Sequence, residues 1–151
     1  MSSPHPATAG ACAAAVRPMV EADLPSARAL WARAEGVELA EGDAEADLRA
    51  YLARNPGASH VAVAADGSLV GAILAGHDGR RGFVYHLAVA PEVRGRGVGR
   101  QLAARSLAVR RGQGIQRVLA LVARDNPQGR AFWLAAGWET LSFAEPIGID
   151  L

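Results

Sequence analysis

The stretch FVYHLAVAPEVRGRGVG, residues 83–99, decides the fold. Residues 83–90 are almost continuously apolar, which predicts a buried strand in the middle of a sheet. Pro91 ends that strand, and the segment after residue 97 has the apolar spacing of an amphipathic helix. A strand, a glycine-rich loop and a helix therefore follow one another here.

The glycine-rich segment 94–99 is suited to binding an anion. Glycine permits positive φ, and the first amides of a helix have no acceptor inside the helix and lie at the positive end of its dipole. Arg94, Arg96 and Arg100 add positive charge at the rim. The other interpretation is a tight strand-to-helix turn with solvated arginines.

Two other phosphate-binding loops do not fit the segment 94–99. A dinucleotide-binding loop needs the spacing G-x-G-x-x-G and an acidic residue about 20 positions later, whereas this chain reads G-x-G-x-G without that acid. A Walker loop needs a lysine, and the chain has none. The loop therefore points to another class of diphosphate ligand.

Hydrophobic alternation and turn residues arrange the rest of the chain as one α/β domain with the element order β-α-α-β-β-β-α-β-α-β. The predicted elements are a strand at 16–18, a helix starting at 21–23, a helix at about 43–54, a hairpin of 60–64 and 69–74, the strand 83–90, the helix after the glycine-rich loop, a buried strand at 118–122, a helix opened by Pro127, and weaker strands after 137–138.

Length and composition narrow the class of protein. The chain has 151 residues, which suits one domain, expected at 16–151 after a disordered tail at 1–15. A net charge of +1 argues against nucleic acid as the main partner. No apolar run is long enough to span a membrane. Cys12 has no partner cysteine, and the scattered histidines do not form a metal site, so a cytoplasmic protein without a metal is expected.

The residues around the loop resemble the GNAT (GCN5-related N-acetyltransferase) superfamily. Its signature [Arg/Gln]-x-x-Gly-x-[Gly/Ala] is matched by Arg94, Gly97 and Gly99, and the resemblance extends from residues 16–18 to 137–138. It implies a mixed, mostly antiparallel sheet of six or seven strands, splayed between its central strands and flanked by about four helices. It also implies acetyl-CoA as the acetyl donor.

The same resemblance implies where the donor binds. The diphosphate is expected on the amides of residues 95–100, and the pantetheine arm is expected beside the backbone of Leu87 and Val89 in the gap between the splayed strands. The cofactor-binding residues implied in this way are Leu87, Ala88, Val89, Arg94, Gly95, Arg96, Gly97, Val98, Gly99, Arg100, Asn126 and Trp133. Asn126 also suits a helix cap without any ligand.

Candidate catalytic residues are Tyr85, His86 and Glu92. An alkylammonium with a pKa of about 10.4 costs roughly 4.6 kcal/mol to deprotonate at pH 7, so a proton acceptor is expected. Tyr85 and His86 follow one another on a strand, so only one of them should face the cleft. Histidine suits a base, whereas the resemblance favours Tyr85, because Phe83 and Tyr85 are in phase with strand positions that carry acid/base residues in some members of the family. A packed tyrosine, a core histidine and a solvated Glu92 are the corresponding structural interpretations.

The resemblance implies acetyl transfer from acetyl-CoA to a primary amine of a small molecule or a protein N-terminus, by direct attack in a ternary complex. Many members of the family place a thiolate-protonating tyrosine where this chain has Trp133, which cannot deliver a proton usefully. A CoA-binding regulatory module without turnover and a transferase for a longer acyl-CoA are the alternatives, and a homodimer is left open. The acidic segment 38–47, with Trp31 and Tyr51, is expected to border the acceptor side.

Overall fold

One sheet of five strands, in chain order, forms the centre of the part of the chain that the computed structural model describes, residues 14–151. The strands are β1 (Ala15–Pro18), β2 (His60–Val63), β3 (Leu69–His77), β4 (Gly82–Val89) and β5 (Val118–Ala120). The first four strands pair antiparallel, and β5 pairs with β4 in parallel. The expected mixed, mostly antiparallel sheet is confirmed.

The predicted tail at residues 1–15 lies almost entirely outside the described residues, which begin at Ala14. Ala15 already pairs with Val63 as the first residue of β1. The ordered sheet therefore begins one residue earlier than the expected domain boundary. No helix within residues 14–151 has the length and apolar character needed to cross a bilayer.

Four α-helices flank the sheet, as expected. They are α1 (Leu24–Arg33), α2 (Glu45–Arg54), α3 (Val98–Gly112) and α4 (Pro127–Ala135). A 3-10 turn at Glu21–Asp23 precedes α1, and Pro25 lies in the first turn of that helix, where its missing N–H leaves no hydrogen bond unmade. The helix α2 begins at Glu45, two residues after the start expected at Asp43.

The helices cover opposite faces of β3. A Cβ atom on Gly71 would meet Leu102 and Val98 of α3, whereas one on Gly76 would meet Tyr51 of α2. Odd and even residues of a strand face opposite sides of the sheet, so β3 is covered on both faces and is buried along nearly its whole length. The core on the α1 side includes Trp31, which is fully buried.

The predicted C-terminal strands are absent, so the described chain has five strands rather than six or seven. Residues 141–151 alternate apolar side chains, but Pro146 removes a ladder donor and Gly148 contributes no packing surface. The side chains of Phe143 and Ile147 are 80% and 96% exposed. The neighbouring β5 is also shorter than the predicted strand 118–122 and only half-buried, so it offers little edge for pairing.

His60 is buried between β2 and α3, where its ring has polar partners. Its Nδ1 atom lies 3.1 Å from the carbonyl oxygen of Ala58 and 3.3 Å from Oγ of Ser106. A carbonyl oxygen can only accept, so Nδ1 carries the hydrogen of the neutral ring. Burial lowers the pKa of His60, and the charges of Arg105 and Arg110 lower it further.

We predict that this lowered pKa makes stability depend on pH. The unfolded chain takes up a proton on His60 near pH 6.5, whereas the folded chain resists it, so stability is present above that pH and declines as the pH falls toward the folded pKa. The His60→Leu variant should lose less stability than the wild type between pH 7.5 and pH 5. Urea unfolding of both proteins at each pH measures the difference, and parallel pH profiles would contradict the assignment.

Candidate active site

The strands β4 and β5 diverge after a ladder of three residue pairs. They pair at Gly82–Val118, Phe83–Leu119 and Val84–Ala120. Beyond these pairs, residues 85–89 of the first strand and 121–123 of the second separate and line a cavity of about 830 Å³. The splayed centre implied by the family resemblance is thus present, and the gap opens at the carboxyl ends of two parallel strands.

A β-bulge in β4 lies on the wall of this cavity. Ala72 pairs with Ala88 and Leu74 pairs with Tyr85, so Ile73 alone faces the two residues His86 and Leu87. The extra residue takes up a left-handed backbone at His86, with φ of +51°. The bulge interrupts the alternation of side chains, and Tyr85 and His86 both line the cavity, which corrects the expectation that only one would.

The glycine-rich loop presents a run of unoccupied amides at the cavity mouth. The amides of Val93 and Arg94 donate to the carbonyls of Ala90 and Pro91, and the first helical bond of α3 runs from Gln101 to Gly97. Between them, the amides of residues 95–100 donate to no acceptor within residues 14–151. These six consecutive donors at the N-terminus of a 15-residue helix suit a diphosphate.

The three rim arginines differ in what they contact. Arg94 lines the cavity and donates from Nε to the carbonyl oxygen of Val89 at 3.1 Å. Arg100 also lines the cavity and donates from Nη2 to the carbonyl oxygen of Ala135 at 3.2 Å, which ties α3 to the end of α4. Arg96 is exposed and does not line the cavity.

The far wall of the cavity comes from α4 and the loop before it. Asn126 caps α4, since its Oδ1 accepts from the amide of Gly129 at 3.0 Å, and it also lines the cavity. Trp133 lines the cavity and packs on Trp138, with ring centroids 4.5 Å apart. A Cβ atom on Gly99 would meet the ring of Phe132 at 3.2 Å, so α3 and α4 meet closely beside the loop.

The remaining expected site residues differ in whether they line the cavity. Leu87, Ala88, Val89, Gly95, Gly97, Val98 and Gly99 all line the cavity. Glu92 does not line it and is exposed in the 3-10 turn Pro91–Val93. Tyr85 is partly buried between the rings of Phe83 and His86, and burial raises the pKa of its hydroxyl. A phenol of this kind is a weaker proton acceptor than an imidazole at neutral pH.

Asp43 belongs to the acidic segment 38–47, but the sequence did not single it out as a partner of His86. Its Oδ1 lies 2.9 Å from Nε2 of His86, and its Oδ2 accepts from the amide of Ala40 at 2.9 Å. The carbonyl oxygen of Asp43 also accepts from Nε of Arg28 at 3.0 Å. The loop between α1 and α2 is therefore held against the bulge of β4, a contact between residues 43 positions apart that no local pattern reveals.

Of the acidic segment 38–47, Glu38 lines the cavity and residues 39–47 do not. Residues 34–37, which precede the segment and include Glu35, also line the cavity. A Cβ atom on Gly36 would overlap the Asn126 amide, so this loop lies directly against the far wall. Trp31 and Tyr51, expected on the acceptor side, do not line the cavity, because Trp31 is buried beneath His86 and Tyr51 faces β3.

Comparison with known proteins bears on this geometry. The model of the acetyltransferase (GNAT) family matches residues 24–138. An acetyltransferase of Photorhabdus laumondii is 33% identical over 111 residues, which cover 74% of this chain and 76% of that protein. A Mycobacterium tuberculosis protein solved in complex with CoA is 26% identical with a TM-score of 0.61, covering 78% of this chain and 70% of that one.

A second solved structure has the same fold over nearly the whole chain. An aminoglycoside N-acetyltransferase in complex with CoA superimposes with a TM-score of 0.71 at 20% identity, covering 96% of this chain and 100% of that one. Fold, site and relatives together define the class, an acyltransferase that takes its acyl group from a coenzyme A thioester. The chain belongs to the acetyltransferase (GNAT) family, and acetyl-CoA is its donor.

We predict that Gly97→Val abolishes CoA binding, with a rise in Kd of at least about 30-fold, because the new side chain would stand where the amides meet the diphosphate. Nothing lies within 4 Å of a Cβ atom at Gly97, but φ is +79°, so the variant also strains the backbone by about 1–2 kcal/mol. Calorimetric titration with CoA measures the Kd.

Gly114→Val is the matched control. Gly114 lies after α3, has φ of +76°, likewise has open space around its Cβ position and does not line the cavity. The two variants should show similar losses in Tm, whereas only Gly97→Val should lose CoA. Equal affinities for CoA in the two variants would refute the placement of the diphosphate on this loop.

Proposed function

We propose that the chain transfers an acetyl group from acetyl-CoA to a primary amine, on a small molecule or a protein N-terminus, by direct attack in a ternary complex. The run of unoccupied amides at residues 95–100, at the mouth of a cavity that continues between β4 and β5, carries the proposal. The donor supplies an activated acetyl thioester, and the chain binds and orients it.

The cavity is of the size of a ligand-binding site. Its volume of about 830 Å³ lies within the range of small-molecule sites. The loop amides would hold the diphosphate, and the backbone of β4 that faces away from β3 between residues 85 and 89 has no strand partner there, so it would hold the amide groups of the pantetheine arm. The thioester would then lie beside Tyr85 and His86.

Charge in the cavity supports a cationic acceptor. Glu35 and Glu38 line the cavity, and their carboxylates would raise the local concentration of an ammonium group. Arg94 and Arg100 also line the cavity, where they would balance the negative charge of a diphosphate. The lining thus carries charges of both signs, which suits an anionic donor and a cationic acceptor.

We predict that the purified chain releases free thiol from acetyl-CoA in the presence of a panel of small amines and peptides with free N-termini. Neutral and anionic members of the panel should be poorer acceptors than cationic ones, because the carboxylates of Glu35 and Glu38 line the cavity. A thiol-reactive dye follows the release, and mass spectrometry confirms that the product gains an acetyl group.

The same assay discriminates between the alternatives. Propionyl-CoA and longer donors compared at equal concentration test the acyl preference, since Ala88 is small and lies on the cavity wall. Tight CoA binding with no thiol release across the whole panel and all donors would contradict transfer and favour a CoA-binding module.

A further inference from the structure

His86 has a backbone conformation that needs support from its surroundings. It is the one non-glycine residue of the described chain with positive φ, at +51°. Such a conformation costs about 1–2 kcal/mol for a residue with a Cβ atom. Strained residues of this kind persist where neighbouring contacts hold them, and they concentrate in functional sites.

Asp43 provides that support in a fixed geometry. One carboxylate oxygen is used by the amide of Ala40 and the other by Nε2 of His86. The two side chains are only 12% and 17% exposed, so solvent competes weakly for the contact. Trp31 packs against the other side of the imidazole, with ring centroids 5.3 Å apart. The ring therefore has one defined orientation.

This contact determines which nitrogen of His86 holds a proton. A carboxylate only accepts, so in the neutral ring the hydrogen is on Nε2 and the lone pair is on Nδ1. Nδ1 has no hydrogen-bond partner within residues 14–151. It is nevertheless not fully buried, because the fully buried nitrogens without a partner in that part of the chain belong to Trp31 and Arg110. Since His86 lines the cavity, we infer that Nδ1 is accessible from it.

We propose that His86 accepts the proton of the acceptor ammonium through Nδ1, and that Asp43 is the positioning residue that holds the ring in the competent tautomer. This inference rests on the proposed acetyl transfer. It assigns proton acceptance to His86 rather than to Tyr85, whose hydroxyl lies on the same cavity wall, or to Glu92, which lies outside the cavity.

The proton and electron balance is as follows. The ammonium gives one proton to Nδ1 of His86, and the freed lone pair of nitrogen forms the C–N bond to the acetyl carbon. The C–S bond breaks and leaves its electron pair on sulfur. The second proton lost by nitrogen neutralises that sulfur, and the imidazolium releases the first proton to solvent, so one amide, one thiol and one proton result.

Charged and titratable groups surround His86 on several elements. Asp43 contacts it from the loop before α2, Glu35 and Glu38 line the same cavity from the preceding part of that loop, and Tyr85 adjoins it on β4. From α1, Arg28 reaches the carbonyl oxygen of Asp43 and not its carboxylate. The carboxylate charge of Asp43 is therefore directed at the imidazole.

Two substitutions of His86 suit the backbone conformation. Asparagine tolerates positive φ and keeps a polar group near Asp43, and glycine tolerates it while leaving space for an added imidazole. We expect His86→Asn to lower kcat by about 10²-fold or more, with the KM for acetyl-CoA within about threefold of the wild-type value.

Imidazole in solution should restore part of kcat to His86→Gly and none to His86→Asn. His77→Asn, at the end of β3, is the control and should retain wild-type kcat.

Asp43→Asn tests the positioning role separately. If the amide oxygen stays on the Ala40 amide, the new NH₂ group donates to Nε2 of His86 and drives the hydrogen to Nδ1. We expect kcat to fall by about 10-fold or more with CoA affinity unchanged. Nitrogen-15 NMR of the imidazole should report Nε2–H in the neutral wild type and Nδ1–H in Asp43→Asn, with or without substrate.

The outcomes separate this inference from the proposed function. No thiol release by the wild type itself would overturn acetyl transfer and the role of His86 together. If the wild type turns over and the kcat of His86→Asn is within threefold of the wild-type kcat, the role of His86 alone is overturned. A neutral wild-type ring with its hydrogen on Nδ1 would overturn that role as well. Unfolding of the variants, measured by Tm, distinguishes a loss of fold from a loss of chemistry.

Discussion

The extra residue in β4 at His86 and Leu87 is the constraint on which the site depends. A bulge increases the local twist and bends its strand, and here the bend follows directly after the last ladder pair with β5, Val84–Ala120. The strands then diverge, so a cavity forms where an unbroken sheet would have had a ladder. The same bulge directs two consecutive side chains, Tyr85 and His86, toward that cavity.

The sequence predicted those parts of the structure whose signals are local. The loop before α3 is defined by glycines at its positions of positive φ, and the hairpin of β2 and β3 by the Asp66-Gly67 turn. The apolar run of β4 placed that strand between two others. Because each of these signals depends on residues close in sequence, the order of the elements as far as α4 and the position of the glycine-rich loop before α3 could both be predicted.

Contacts between distant residues could not be predicted in this way. Nothing in the run FVYHLAVA marks His86 as a bulge, since only the register with β3 reveals the extra residue. Asp43 resembled a helix start because acidic residues favour that position, yet its carboxylate bonds to His86. The alternation at residues 141–151 indicated strands, but a strand needs a neighbouring strand to pair with, and β5 has only three residues.

The loop between α1 and α2 is attached to the rest of the molecule at two points around the cavity. At one end Gly36 lies against Asn126, which caps α4, and at the other Asp43 bonds to His86. Most residues of the segment between these points are exposed, but Val37 and Leu39 pack against the core and Glu38 lines the cavity. The hydrogen bond that offsets the strain at His86 thus also holds this loop against β4. Since the contact between Asp43 and His86 supports the backbone of His86, its tautomer and the position of the loop, the stability of this loop and the chemistry proposed for His86 are coupled, and a change that loosens Asp43 affects both.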